Sequence, residues 1–188
     1  MKDTGERQIP SIPGTLENLD IKHVQRYKWA SVFTHNKRVY DLACGTGYGS
    51  LLLEASNYIG FDNSLETVEY ATKYYATNSS ITFSQADACA MPVTLEVADV
   101  IVSFETIEHL KDPEAFLSWC ANHGKLLLIS SPIRNSFGRS HFHLFEYHLE
   151  QFDRVLNKYF SKVSMFIQKH NQGIIYPCLP EDKGVAIG

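Results

Sequence analysis

The chain has 188 residues, with 17 Lys and Arg against 21 Asp and Glu, for a net charge of −4. At roughly 100–200 residues per domain this is one domain, residues 1–188, and 44% hydrophobic with 20% charged residues excludes a disordered chain. No run reaches the ~18 apolar residues of a membrane span, and the mild acidity counts against broad nucleic-acid binding, which needs a basic surface.

The opening MKDTGERQIP has no apolar stretch after its charges, so it is not a secretory signal. Residues 1–14 are polar, with Gly5, Pro10, Pro13 and Gly14, and read as an irregular arm. Leu16, Leu19, Val24, Tyr27 and Ala30 then fall at near-helical spacing, which predicts one or two helices over 15–34. RVYDLA is a short β-branched and aromatic strand that ends in glycines, and GYGSLLLEA reads as the start of a helix. NYIGFD is a second strand. Asn63 with Glu66 three residues on predicts a helix entry, and Leu65, Val68, Ala71 and Tyr75 keep helical spacing. ITFSQAD is a third strand. ADVIVSF is a fourth, apolar throughout as a strand covered on both faces must be. Asp112 followed by Pro113 marks the next helix start. KLLLIS is a fifth strand, Leu149, Phe152, Leu156 and Tyr159 mark a further helix, and SKVSMFIQ and the terminal GVAIG supply two last strands.

Strands alternating with helices predict a mostly parallel, doubly wound sheet, whose ligands bind beyond the carboxyl ends of the strands. The four cysteines, Cys44, Cys89, Cys120 and Cys178, form no C-x-x-C pair. They suggest neither a zinc site nor a disulfide framework, but free thiols in a reducing cytoplasm.

Three strand ends carry an acid. Asp41 precedes Gly45, Gly47 and Gly49, Asp62 lies seventeen residues after Gly45, and Asp87 ends the third strand. Glycines at a helix start let backbone N–H groups approach a ligand. An acid ahead of them repels a pyrophosphate and suits a cationic ligand end. A carboxylate at the second strand end can accept two ribose hydroxyls, and Asp87 with the Ala88 N–H can meet an adenine. Taken singly, each acid has a plainer reading: Asp62 as a helix cap, Asp87 as a turn residue, Asp41 as a brace for the backbone. The three together describe S-adenosylmethionine.

Glu105, Glu108 and His109 follow the fourth strand at i, i+3 and i+4, which a helical turn would stack on one face. With His143 as a fourth ligand, they suit Mg²⁺ or Mn²⁺. Without an ion, His109 is a candidate base and Glu108 complements a helix dipole. His141 and His148 are read as solvent-facing or loop-supporting.

VYDLACGTGYGS resembles the first motif of class I S-adenosylmethionine-dependent methyltransferases, and GFD, QAD and VSFETIEHLKDPEAFL resemble their later motifs. GERQIP followed by HVQRYKWA is similar to the lead-in of a bacterial subgroup found beside glycosyltransferases. The likeness covers residues 4 to about 160. It implies a Rossmann-like α/β fold whose seven strands run in the order 3-2-1-4-5-7-6, strand 7 antiparallel, with residues 1–34 covering part of the site. It implies that Gly45 and Gly47 line the methionyl group, Asp62 holds the ribose, and Asp87 and Ala88 hold the adenine. Ala43, Cys44 and Asn63, in the same turns, belong to this set. Phe104 packs beside the cofactor, and Arg26 or Tyr27 reaches its carboxylate. The E-x-x-E-H pattern with a distant His resembles the metal-using ubiquinone-pathway O-methyltransferases and the small-RNA 3′-end 2′-O-methyltransferases. The expected activity is methylation of a hydroxyl on a small molecule or glycan, with an RNA end as the runner-up. An NAD-dependent oxidoreductase is disfavoured by Asp41 and Ser50, and a non-catalytic cofactor-binding subunit by the polar cluster from Glu105 to His109. Arg134 and Arg139 are candidates to meet an anionic group on the substrate.

Overall fold

The computed structural model describes residues 7–133, 141–168 and 173–180. The chain divides into two compact units, residues 1–88 and 89–188.

In the first unit, helix α1 spans Ile21–Thr34 and starts where the Asp20 carboxylate accepts the Lys22 N–H. Leu16 and Leu19 lie ahead of it, although their spacing predicted helix. Asn18 sits at φ 60°, a left-handed conformation that Asn tolerates and that interrupts a right-handed helix. Strands β1 (Arg38–Leu42), β2 (Asn57–Asp62) and β3 (Ile81–Gln85) run parallel in the order β3-β2-β1. Helix α2 (Leu65–Tyr75) makes the β2–β3 crossover and buries Val68, Ala71 and Tyr75. Its N-cap is Ser64, one residue beyond the expected Asn63, because the Ser64 hydroxyl accepts the Thr67 N–H.

The β1–β2 connection departs most from expectation. GYGSLLLEA forms only a 3₁₀ turn, Tyr48–Leu51. The N–H groups of Leu52 and Leu53 both fold back onto the Gly49 carbonyl, and the Thr34 hydroxyl at the end of α1 donates to the Leu53 carbonyl. That carbonyl is thereby held in the core instead of extending a helix.

In the second unit, β4 (Val100–Phe104) is buried at every residue. Helix α3 (Pro113–His123) begins as expected, with Asp112 accepting the Ala115 N–H and Pro113 in the first turn. It is followed by β5 (Leu127–Pro132), helix α4 (Leu149–Leu156), β6 (Phe160–Val163), β7 (Phe166–Ile167) and β8 (Gly173–Pro180). β4 and β5 are parallel. β8 pairs antiparallel with β5, from Leu127↔Cys178 to Pro132↔Gly173, and on its other side with β6 and β7. SKVSMFIQ, read as one strand, is thus split in two. The sequence reading assigned no element to GIIYPCLP, which forms β8. The expected terminal strand GVAIG lies outside the described residues. No helix among the described residues is long and apolar enough to cross a membrane.

Two glycines let the first unit close around its turn. A Cβ on Gly47 (φ 89°) would meet Ala71 Cβ at 2.8 Å and Phe83 at 2.9 Å. One on Gly49 would collide with the Tyr27 ring and stand 2.8 Å from the Asp41 carboxylate. Gly49→Ala should therefore destabilise the protein by about 1–3 kcal/mol, the usual range for overpacking a filled site. Urea unfolding of the variant against the wild type measures this.

Candidate active site

The turn after β1 alternates into the left-handed region at Ala43 (φ 58°), Gly45 (φ 56°) and Gly47 (φ 89°). It is held to the end of β2 by the Cys44 N–H, which donates to the Phe61 carbonyl at 2.9 Å. Asp62 completes the link. One carboxylate oxygen accepts the Gly45 N–H at 3.1 Å, the other accepts the Ser64 N–H at 3.0 Å, and the Arg7 guanidinium lies 3.6 Å away. Asp62 therefore acts both as an Asx-type brace for the α2 entry and as a latch on the glycine turn. The Thr46 hydroxyl donates to the Gln8 carbonyl at 3.0 Å and ties the N-terminal arm to the same turn. Asn63 is exposed beside it. Asp87 is exposed just after β3, and Ala88 is half-buried.

Asp41 is fully buried. Its carboxylate accepts the Tyr58 hydroxyl at 2.8 Å and the Tyr27 hydroxyl at 3.1 and 3.2 Å. Burial pushes its carboxyl up to about 7, and the two hydroxyl donors pull against that rise. Tyr27, expected at a cofactor carboxylate, thus has its hydroxyl on Asp41. Arg26, the alternative, is buried on α1. Burial raises the Cys44 thiol well above its ordinary value, which keeps it neutral and unreactive.

In the second unit, Phe104 ends β4 in the core. Glu105 follows at φ 52°, outside any helix. Its N–H donates to the Ser130 carbonyl and hydroxyl oxygens, each at 3.1 Å, and its carboxylate accepts the Ser130 hydroxyl at 2.7 Å. Only Ile107–His109 forms a turn, and it is 3₁₀. The stacking of Glu105, Glu108 and His109 on one helical face does not occur, because the left-handed residue breaks the helical path before it starts.

Glu108, His109 and His143 do come together. One ligand atom from each lies within 4.8 Å of the other two, and Glu105 is not among them. Glu108 is fully buried, with one carboxylate oxygen accepting the Ser131 hydroxyl at 3.0 Å. His109 Nδ1 lies 3.1 Å from the Phe142 carbonyl, and His143 Nδ1 lies 3.1 Å from the Glu146 carboxylate. Both partners only accept, so each Nδ1 carries a proton, and His109 Nε2 lies 3.8 Å from the Glu108 carboxylate. The rings meet edge-on with centroids 5.0 Å apart. The Leu144 N–H donates to the Glu108 carbonyl at 3.0 Å and fastens the His143 loop to the 3₁₀ turn. The arrangement is a carboxylate and two imidazoles, one pre-oriented group of hard and borderline donors.

Residues 40–125 match the methyltransferase domain family. A probable S-adenosylmethionine-dependent methyltransferase of Mycolicibacterium smegmatis is 31% identical over 140 residues, 71% of this chain and 52% of that protein. The chain thus spans about half the length of the curated relatives it matches. Among solved structures, the small RNA methyltransferase HEN1 superposes with a TM-score of 0.72 at 21% identity, over 88% of this chain and 26% of that one. A magnesium protoporphyrin IX methyltransferase from Synechocystis with bound SAH gives 0.67 at 15%, over 86% of this chain and 84% of that one.

The chain carries a class I S-adenosylmethionine-dependent methyltransferase domain.

The fold of this domain is Rossmann-like α/β, and S-adenosylmethionine is the methyl donor of its family. Of the expected cofactor residues, the structure gathers Ala43, Cys44, Gly45, Gly47, Asp62 and Asn63 at the ends of β1 and β2, with Asp87 and Ala88 just past the end of β3. Sequence reading passed over Tyr58, which looked like strand core, and Arg7. It also passed over Ser130 and Ser131, noted only as a strand end, and Glu146. The H-x-x-E spacing of His143 and Glu146 was the available signal for the last. Arg134 and Arg139 lie outside the described residues.

The buried carboxyl of Asp41 has a consequence for stability. Its pKa is higher folded than unfolded, so the native state holds an extra proton between the unfolded value and about 7. Stability from this group is full below the unfolded pKa and is lost as pH rises through about 7. Asp41→Asn, which cannot ionise, should remove that slope. Denaturation midpoints of wild type and variant from pH 4 to 8 should diverge in the variant's favour toward pH 8.

Proposed function

We propose that this protein transfers the methyl group of S-adenosylmethionine to a hydroxyl of a small molecule or sugar, assisted by a divalent ion at Glu108, His109 and His143. The observation that carries this reading is the convergence of a buried carboxylate and two imidazoles, whose Nδ1 atoms are held by a carbonyl and a carboxylate. A structural histidine pair has no need of that convergence. The donors are two nitrogens and one carboxylate, which suits Mn²⁺ better than Mg²⁺, since Mg²⁺ favours all-oxygen surroundings. Glu105, engaged with Ser130, is assigned to shaping the end of β4 and not to the ion.

The donor arrives activated: the S–CH3 bond of the sulfonium breaks with its electron pair staying on sulfur, the leaving group is a neutral thioether, and the new C–O bond forms in line. The remaining cost is the proton of the acceptor hydroxyl. A divalent ion at the three-residue site would supply a Lewis acid that lowers that pKa. The chain's own part is to fix the donor and keep a proton acceptor at hand. Asp62 has about four lone-pair positions. Backbone N–H groups from Gly45 and Ser64 take two, leaving capacity for the two ribose hydroxyls. Asp87 and Ala88 meet the adenine, and Arg26 is kept for the methionyl carboxylate. Phe104 lies beside the donor, and residues 1–34 cover part of the site. On this reading residues 1–188 work as one methyltransferase domain, with the strands in the seven-stranded order of its class. A cytoplasmic setting, where thiols stay reduced, belongs to the same proposal.

A second reading, methylation of an RNA 3′-terminal 2′-hydroxyl, is favoured by the fold likeness to HEN1 together with the Glu108–His109–His143 group, and disfavoured by the net charge of −4.

The test follows S-adenosylhomocysteine release with sugar and small-molecule alcohols in one arm and a short RNA with a free 3′ end in the other. Chelator should abolish turnover and Mn²⁺ should restore it; full turnover in chelator rejects the ion and leaves His109 as the base. Asp62→Ala should weaken S-adenosylmethionine binding by about 1–3 kcal/mol in calorimetry, because buried hydroxyls lose a charged acceptor. Unchanged affinity would reject the ribose assignment.

A further inference from the structure

His143 and Glu146 sit three residues apart in the segment before α4, with side chains only 16% and 13% exposed. The Glu146 carboxylate accepts from His143 Nδ1 at 3.1 Å. His141 and His148, in the same segment, are exposed. Of these three histidines His143 alone is half-buried, and it has a carboxylate on Nδ1.

We propose that Glu146 is a positioning residue for the ion site, one that sets the tautomer and orientation of His143 without touching the ion. The proposal rests on the ion-assisted reading above and deepens it. Three physical effects follow from the contact. An ionised carboxylate has no proton to give, so the Nδ1 proton must stay on the imidazole, and Nε2 is the atom left to carry the lone pair of the neutral ring. A neutral histidine side chain in water favours the Nε2–H tautomer, so Glu146 holds the less common form ready for a ligand. The carboxylate also makes the ring a stronger donor. Finally, it adds charge. Glu108 alone leaves a bound divalent ion with a net positive charge in a buried place, whereas Glu108 with Glu146 balances it, as desolvation of an ion requires. His109 is held at Nδ1 by the neutral Phe142 carbonyl, and the carboxylate near its ring, Glu108, lies 3.8 Å from Nε2. The two imidazoles therefore differ at Nδ1, where His143 has a carboxylate and His109 a carbonyl.

The experiment uses the full chain without substrate and has two readouts. Mn²⁺ affinity is read from loss of the free-ion electron paramagnetic resonance signal, and the tautomer of His143 from long-range ¹H–¹⁵N correlation in the ion-free protein. E146L should weaken Mn²⁺ binding about 10- to 100-fold, the usual effect of removing such a partner. It should also move His143 toward the Nε2–H form. E146Q, whose amide oxygen still accepts from Nδ1, should keep the Nδ1–H form and lose less affinity. S-adenosylmethionine affinity should be unchanged in both. Wild-type Mn²⁺ binding with equal binding and an unchanged tautomer in E146L overturns the role of Glu146 alone. No Mn²⁺ binding by the wild type overturns the ion-assisted reading and this inference together. If E146L does not fold, E146Q decides: no change in affinity, or a lost Nδ1–H signal, counts against the proposal.

Discussion

Asp62 joins three pieces of chain that are far apart in sequence. Its two oxygens accept N–H groups from the glycine turn after β1 and from the start of α2, while the Arg7 guanidinium of the N-terminal arm stands beside it. Each of those amides would otherwise be an orphan donor at a strand or helix end. A side chain that could not accept, or that reached a little less far, would leave the turn without its latch and the α2 entry without its brace. The same carboxylate is the proposed ribose acceptor, so ligand geometry and turn geometry are one constraint. The glycine contacts follow from it: once the turn is drawn against β2, Gly47 must pack on Ala71 and Phe83, and Gly49 on Tyr27 and Asp41.

Asp41 shows the opposite use of a carboxylate. Fully buried and bonded to two tyrosine hydroxyls, it is held by neutral donors that only partly replace water, and its proton affinity rises accordingly. It ties α1, through Tyr27, to β1 and β2. In the second unit, buried polarity is arranged outward from Glu108. Ser131 holds its carboxylate, the Leu144 N–H holds its carbonyl, and the His143 loop is thereby fixed against the turn that carries His109. Positions that are separated by thirty-four residues in sequence, His109 and His143, meet because of these two small bonds.

Much of the fold was legible because hydrophobic period reports burial directly. β4 reads as an unbroken apolar run and is buried throughout, and Asp112-Pro113 starts α3 as local chemistry dictates. The reading went astray where a local pattern had two outcomes. GYGSLLLEA has helical composition, but Thr34 and Gly49 hold it as a turn. E-x-x-E-H has helical spacing, but a left-handed Glu105 removes the first acid from the face. GIIYPCLP was assigned no element, yet β5 and β6 flank it as β8.

The sequence by itself determined the alternation of strands and helices, the glycine turn, and the acids at three successive strand ends, because these are set by periodicity and by residues with few conformational choices. Tertiary structure decided which polar groups face one another. It put the Tyr27 hydroxyl on Asp41, Glu105 on Ser130 and Glu146 on His143 Nδ1. Hydrogen bonds between distant segments are governed by where burial leaves a donor beside an acceptor, and spacing along the chain carries no record of that.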